Sequence, residues 1–339
     1  MSWTFDPQEG ANYRFDYVRL CAEMNANREH ATELIRVFAP KDLFFLAYFV
    51  LGIPCNHPWL VDRIREVEEE RYGVMDLWPR EHFKSTILTY ALIIWEILQN
   101  PEERIGIMSH TRGIAKAFLQ RIKVTLESNQ HLLDAFPDIF YQKPEYESPR
   151  WSLDHGIVVK RQGNYAESTV EAWGLVDGMP TGKHFSVMNF DDLVTVESVN
   201  TPETMRKLRE CYQMADNLGD RQGRRRVIGT IYHHADLHCW LEKQGVLKVR
   251  KYPAKVHGRG VYLTNEELDR KKRNQGEYIF SCQMMLSPIS EDNQTFRRED
   301  LKFFKQVSHK MHHYILVDPA GKKNRTSDFT VMFVIGVDS

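Results

Sequence analysis

The chain has 339 residues, and its 45 Lys and Arg against 46 Asp and Glu leave a formal net charge of −1. With 42% apolar and 12% aromatic residues it has ample surface to bury, which excludes general disorder, and it exceeds the roughly 250–300 residues at which a single core stops growing. A globally basic nucleic-acid coat is excluded as well, so any nucleic acid would have to meet a local basic face.

The N-terminus is polar and mixed and does not read as a signal peptide. Residues 1–70 read as helical. Segment 33–51 (ELIRVFAPKDLFFLAYFVL) is strongly apolar and broken at Pro40, and 59–70 is a charged helix expected to offer a solvated face. A strand is expected at 74–78 (VMDLW), then a helix at 87–98 (ILTYALIIWEIL), which carries Glu96 and is too short to span a bilayer. Strand 104–109 and helix 113–127 follow. This β-α-β-α order favours a parallel sheet flanked by helices. Segments 157–160 and 169–173 bracket a Gln-Gly-Asn turn and read as a hairpin inserted into the sheet. Next come a buried strand at 185–190 (FSVMNF), an amphipathic helix at 201–218 and a short strand at 226–230. Residues 241–304 are charged and mixed, and two β-like stretches at 314–317 and 329–337 close the chain. The five cysteines, Cys21, Cys55, Cys211, Cys239 and Cys282, form no CxxC pair. They point away from a disulfide framework and from a cysteine zinc site, and suit a reducing compartment.

Four stretches have the residue types and placement for chemistry. Pro79-Arg80-Glu81-His82-Phe83-Lys84-Ser85-Thr86 lies between a strand and a helix, where backbone N–H groups converge on an anion. Lys84 would reach outer phosphates and Ser85 would offer a hydroxyl to Mg²⁺. Trp78 and Phe83 stand where the phosphate-loop consensus has Gly, so taken alone the stretch also reads as a capped turn. Strand 185–190 ends in Asp191-Asp192, either a Walker B pair, one acid for Mg²⁺ and one for the attacking water, or a solvated turn. Glu197 is an alternative for the second acid. Strand 226–230 ends in Thr230, a hydroxyl able to sense a γ-phosphate. The His233, His234, Asp236, His238 group after it lacks zinc-site spacing and reads as a polar loop. Finally, Asp318 follows a buried strand and Asp328 precedes another, as two-metal nucleases begin.

In this order the four stretches resemble the large subunit of tailed-bacteriophage terminases, the motors that package viral DNA, over nearly the whole chain. PREHFKST is similar to the family's phosphate loop, and GMPTGKHFSVMNFDDLVT to its approach to Walker B. GTIYHHADLH resembles its coupling motif, EYIFSCQMMLSPISEDNQTFRREDL its linker, and DPAGKKNRTSDFTV the opening of its nuclease. The resemblance implies an α/β P-loop NTPase of the additional-strand type. It implies an N-terminal helical segment at 1–70, an ATPase core at 71–245, a linker or lid at 246–309 and the first hairpin of an RNase H-like nuclease at 310–339. ATP and Mg²⁺ would be the ligands, with Mg²⁺ or Mn²⁺ for the nuclease of full-length members. Glu81, His82, Phe83, Lys84, Ser85 and Thr86 would wrap the phosphates, with Ser85 and Asp191 on Mg²⁺. Arg80 and Asp192 would act in hydrolysis, Thr230 in coupling, and Asp318 and Asp328 as nuclease metal ligands. Residues around His57-Pro58-Trp59 lie where the family contacts adenine.

The glycine-free loop implies modest nucleotide affinity, and so few C-terminal acids imply no DNA cleavage by this chain. The implied partners are double-stranded DNA, a portal protein, a small terminase subunit and further copies in a ring, with no membrane. The implied location is the cytoplasm of the infected bacterial host, without retention in the virion. Basic clusters at 221–226, 248–255 and 270–273 are candidates for DNA or else solvated faces. The rival readings are a helicase-like DNA-dependent ATPase and a non-hydrolysing DNA-binding or assembly protein with a degenerate phosphate loop.

Overall fold

The computed structural model describes residues 3–288, 311–319 and 331–338. Its centre is an eight-stranded sheet. The strands are β1 (Val74–Leu77), β2 (Ile105–Ser109), β3 (Trp151–Ser152), β4 (Gly156–Ile157), β5 (Val170–Gly174), β6 (Phe185–Asp191), β7 (Gly219–Gly229) and β8 (Lys248–Lys251), in the order β3-β4-β5-β2-β6-β7-β1-β8. From β5 to β8 every neighbouring pair is parallel. Strands β1 and β2 are buried at every position, the pattern of a sheet covered by helices on both faces, which lets a strand be apolar throughout. The expected α/β architecture is present, and β7 is the additional strand between β1 and β6.

Four expectations change. Strand 226–230 is the end of an eleven-residue strand, β7, whose register sets Arg224, Arg225 and Arg226 opposite Val187, Met188 and Asn189. The density of arginines hides it in the sequence. The pair 157–160 and 169–173 does meet antiparallel within the sheet, but the pairing is short and lies toward the edge. Strand β5 joins β2 in parallel, and β4 meets β5 antiparallel only at Ile157↔Val170, on the edge side. The expected helix at 87–98 begins as a π-turn, Thr86–Ala91, and continues as Leu92–Gln99. The helix Pro58–Glu69 is not only a solvated face. It buries Leu60, Val61, Ile64, Arg65 and Val67, and Arg65 reaches Asp42 at 3.1 Å and Glu68 at 2.7 Å. Pro40 does mark a break, since the helix Arg28–Phe38 ends before it. All five cysteines are buried and free.

Beyond the sheet, β9 (Lys255–Val256) and β10 (Arg259–Gly260) form a small hairpin, followed by helices Asn265–Gln275 and Glu277–Gln283. The final pair, β11 (Met311–Asp318) and β12 (Val331–Asp338), is antiparallel. Asp318 is the last residue of β11, in register with Val331, and Asp328 lies outside the described residues. Among the described residues, no helix is long and apolar enough to cross a membrane.

The basic clusters are largely spent on internal partners. Arg226 is 1% exposed and forks onto Glu96 at 2.6 and 2.9 Å, Arg224 pairs with Glu103 and Arg225 with Asp216. Arg250 is buried against Asp76 of β1 at 2.6 Å, and Lys248, Lys251 and Lys255 pair with Glu70, Glu242 and Asp269. Arg226 and Arg250 are therefore withdrawn as DNA contacts, whereas Arg221, Arg270 and Arg273 are exposed. Burial pushes the Asp76 carboxyl up even with Arg250 beside it. Removing one partner of such a pair strands the other charge. Arg250→Ala is expected to cost about 3–5 kcal/mol at neutral pH, read as a lower urea midpoint.

Candidate active site

Three loops leave the carboxyl edge of the sheet side by side, from β1, β7 and β6. From β1 the chain crosses to β2 on one side, while β8 lies on the other. That makes a topological switch point, where open α/β sheets form their ligand crevices. A cleft of about 300 Å³ opens there, lined by Pro79, Arg80, Glu81, Phe83, Lys84, Ser85, Thr86, Asp192 and Thr230. Wider clefts lie against Trp151 and Trp173 and against Asn27 and Asp134, away from these strand ends.

The loop after β1 has no glycine, yet it adopts glycine-like backbone. Glu81 has φ +63° and Phe83 has φ +60°. Asp192, straight after β6, has φ +52°, so three of the five non-glycine residues of positive φ among the described residues stand at this edge. Each left-handed residue costs about 1–2 kcal/mol. The loop is held by its neighbours. The Arg80 N–H donates to the Gln283 carbonyl at 3.3 Å, His82 Nδ1 lies 2.7 Å from the Arg80 carbonyl, and Lys271 pairs with Glu81. The Tyr262 ring lies tilted against His82, at 5.4 Å, and edge-on to Phe83, at 6.0 Å. Trp59 lies 5.3 Å from both Trp78 and His82, and His57 lies 5.1 Å from Tyr262, so the 57–59 segment does flank the loop.

Lys84 opens the helical stretch and is nearly buried. Its Nζ stands 3.7 Å from Asp191 Oδ1 and 3.5 Å from Asp192 Oδ1. Asp191 is fully buried, and its carboxyl is pushed up to about 6. Burial drives the rise, Lys84 opposes it and Asp192 adds to it. Asp192 is part-exposed and faces the cleft, whereas Glu197 lies in an exposed turn outside it, so of the two candidates for the second acid the geometry favours Asp192. Thr230 donates its hydroxyl to the Trp78 carbonyl at 2.9 Å and so ties the end of β7 to the loop. Arg80 holds its guanidinium 5.4 Å from the centre of the Tyr232 ring. Arg80, Lys84, Ser85, Thr86, Asp191, Asp192 and Thr230 thus meet in one place. Asp318 is on the separate antiparallel pair.

One buried residue escaped the sequence reading. His238 is not in a polar loop. It lies in the helix Leu237–Gln244, fully buried, with its ring close to the Thr230 backbone. Burial holds its pKa below the usual histidine range. The ring lies against Gly229, where an added Cβ would come within 2.2 Å of Nε2. The signal was the helical i, i+4 spacing of His234 and His238, but His234 precedes the helix.

No family model and no curated protein matches this sequence. Among solved structures the chain is similar to a large terminase from the thermophilic bacteriophage D6E in complex with ADP, at 12% identity and a TM-score of 0.41 over 90% of this chain. The chain spans 64% of that protein's length. At that identity, activity and partners have to be argued from this chain's own residues.

Two outcomes follow from the geometry. The folded state binds the Asp191 proton more tightly than the unfolded chain, whose carboxyl titrates near about 3.9. Stability therefore falls as pH rises from about 4 to about 6 and stays lowered above that. Asp191→Asn is expected to stabilise the protein at pH 7 by about 1–3 kcal/mol in urea unfolding, with the gain gone at about pH 4. Gly229→Ala is expected to destabilise by about 1–3 kcal/mol through overpacking against His238, and His238→Ala in the same chain to recover part of that loss.

Proposed function

We propose that this chain is the ATPase region of a large terminase, hydrolysing ATP with Mg²⁺ to drive double-stranded DNA into a procapsid. One observation carries the reading. The Lys84 ammonium sits between two strand-end carboxylates, beneath a loop with left-handed backbone, at the switch point of a sheet ordered β8-β1-β7-β6-β2.

The donor set suits a hard divalent cation. The Ser85 hydroxyl and the Asp191 carboxylate are oxygen ligands, and a carboxyl disfavoured as a lone buried anion gains by meeting a cation. When bound, Mg²⁺ would neutralise charge on the phosphate oxygens. Lys84 would leave its carboxylates for the outer phosphates, and loop N–H groups from Glu81 to Thr86 would donate to them. A carboxylate oxygen of Asp192 would orient the attacking water and take its proton. Arg80 is exposed, and its guanidinium, which meets Tyr232, would swing towards charge developing on the transferred phosphoryl group. Thr230, bonded to the root of the loop, would pass a change at the phosphate into β7 and the helix after it.

Within the three basic clusters, the exposed Arg221, Arg270 and Arg273 are the arginines that would meet a DNA backbone. A portal, a small subunit, a ring of copies and the cytoplasm of an infected bacterium complete the proposal. Phosphate release should require Mg²⁺ and rise with double-stranded DNA. Lys84→Ala should lower it at least about 100-fold and abolish the thermal stabilisation by Mg·ATP, about 2.7 kcal/mol at 100 times Kd for the intact protein. A wild-type chain that neither binds nor hydrolyses ATP overturns the reading. One that binds without hydrolysing leaves the assembly-protein alternative.

A further inference from the structure

Arg226, one of the two arginines withdrawn as DNA contacts, leads through buried groups to Asp191. Glu96, Arg226, Asn189, Thr89 and Asp191 are all 0–2% exposed and form one hydrogen-bonded row. Both Arg226 terminal nitrogens donate to Glu96, at 2.6 and 2.9 Å, and its Nε donates to Asn189 Oδ1. Asn189 Nδ2 donates to Thr89 Oγ1 at 3.1 Å, and Thr89 Oγ1 donates to Asp191 Oδ2 at 2.6 Å.

The direction of this row is forced. A guanidinium can only donate, so the Asn189 atom facing it is the carbonyl oxygen, and the amide NH₂ must turn to Thr89. The Thr89 hydroxyl then accepts from Asn189, and its single proton points to Asp191. Asp191 Oδ2 is thereby fixed as an acceptor. Oδ1, which takes the Asp192 N–H at 2.9 Å and lies 3.7 Å from Lys84, is the oxygen presented to the Lys84 side. Thr89 is carried by the π-turn Thr86–Ala91, a distortion of the helix directly behind the loop.

We propose that Thr89 is a positioning residue of the nucleotide–metal site, set by the Glu96–Arg226–Asn189 row to hold the Asp191 carboxyl with Oδ1 presented on the Lys84 side, where it would meet the cation. The inference rests on the ATPase reading above. A merely structural threonine would alter stability without distinguishing metal-bound from metal-free nucleotide.

The experiment is calorimetric titration of the whole chain with ADP, once with Mg²⁺ and once with a chelator, using the wild type, Thr89→Val and Thr89→Ser, with thermal unfolding to establish that each is folded. Removing an outer partner of a metal ligand weakens metal affinity about 10–100-fold. Thr89→Val is therefore expected to weaken Mg·ADP about tenfold or more, leave metal-free ADP within about twofold, and be rescued by Thr89→Ser. If Thr89→Val does not fold, Thr89→Ala, which cannot overpack, must show the same split. Equal loss of both ligand forms, or no loss, overturns the role of Thr89 and leaves the nucleotide site standing. A wild type that binds ADP no better with Mg²⁺ overturns the site reading and the row's role together.

Discussion

A guanidinium with 1% exposure has no water to turn to, and the architecture is organised around that demand. Arg226 lies in β7, in register with Asn189 of β6, and its charge is met by Glu96 from the helix behind the loop after β1. Burying such a pair is costly unless it is well hydrogen-bonded, and here each of the three guanidinium nitrogens donates, two to Glu96 and Nε to Asn189. Tyr72 adds a further donor to Glu96 at 2.6 Å. The pair locks the helix to the two strands whose ends carry Thr230 and Asp191. Arg250 and Asp76 repeat the device one strand over, between β8 and β1. The edge that holds the site is thus pinned by charge as well as by apolar packing.

Much of this was legible in the sequence. The β-α-β-α order over residues 74–127 announced a parallel sheet flanked by helices, because parallel strands need crossover connections. Lys84, Ser85, Asp191, Asp192 and Thr230 stood at strand ends, and the parallel connections bring such ends to one edge. Three kinds of residue were illegible. Arg224–Arg226 look like a solvated run, because a sequence does not show that Glu96 and Glu103 wait across the sheet. His238 looked like part of a polar loop, because its burial depends on a missing side chain at Gly229. Thr89 and Asn189 carry no motif at all, and their importance is a matter of which proton faces which lone pair.

The wide mixed region after β7 was the least informative stretch, since β9, β10 and the helices behind them are short and mostly polar. Its structural role lies in contact with the loop after β1. Lys271, Gln283 and Tyr262 all reach residues 80–83. Support from far along the chain is what allows a loop to keep unfavourable backbone angles, because local sequence alone would relax them.

The glycine-free loop has a thermodynamic side as well as a steric one. A loop with several glycines samples many conformations when released, and each nucleotide-binding event must collect them again. Here Glu81 and Phe83 are already committed to the left-handed region and carry side chains that restrict the alternatives. The enthalpic strain is met once, at folding, and little conformational entropy remains to be surrendered when an anion arrives. Absence of glycine therefore does not by itself imply weak binding. Under the proposed function it would make a rigid anion cradle, whose affinity would depend on tertiary support more than on the freedom of its own backbone.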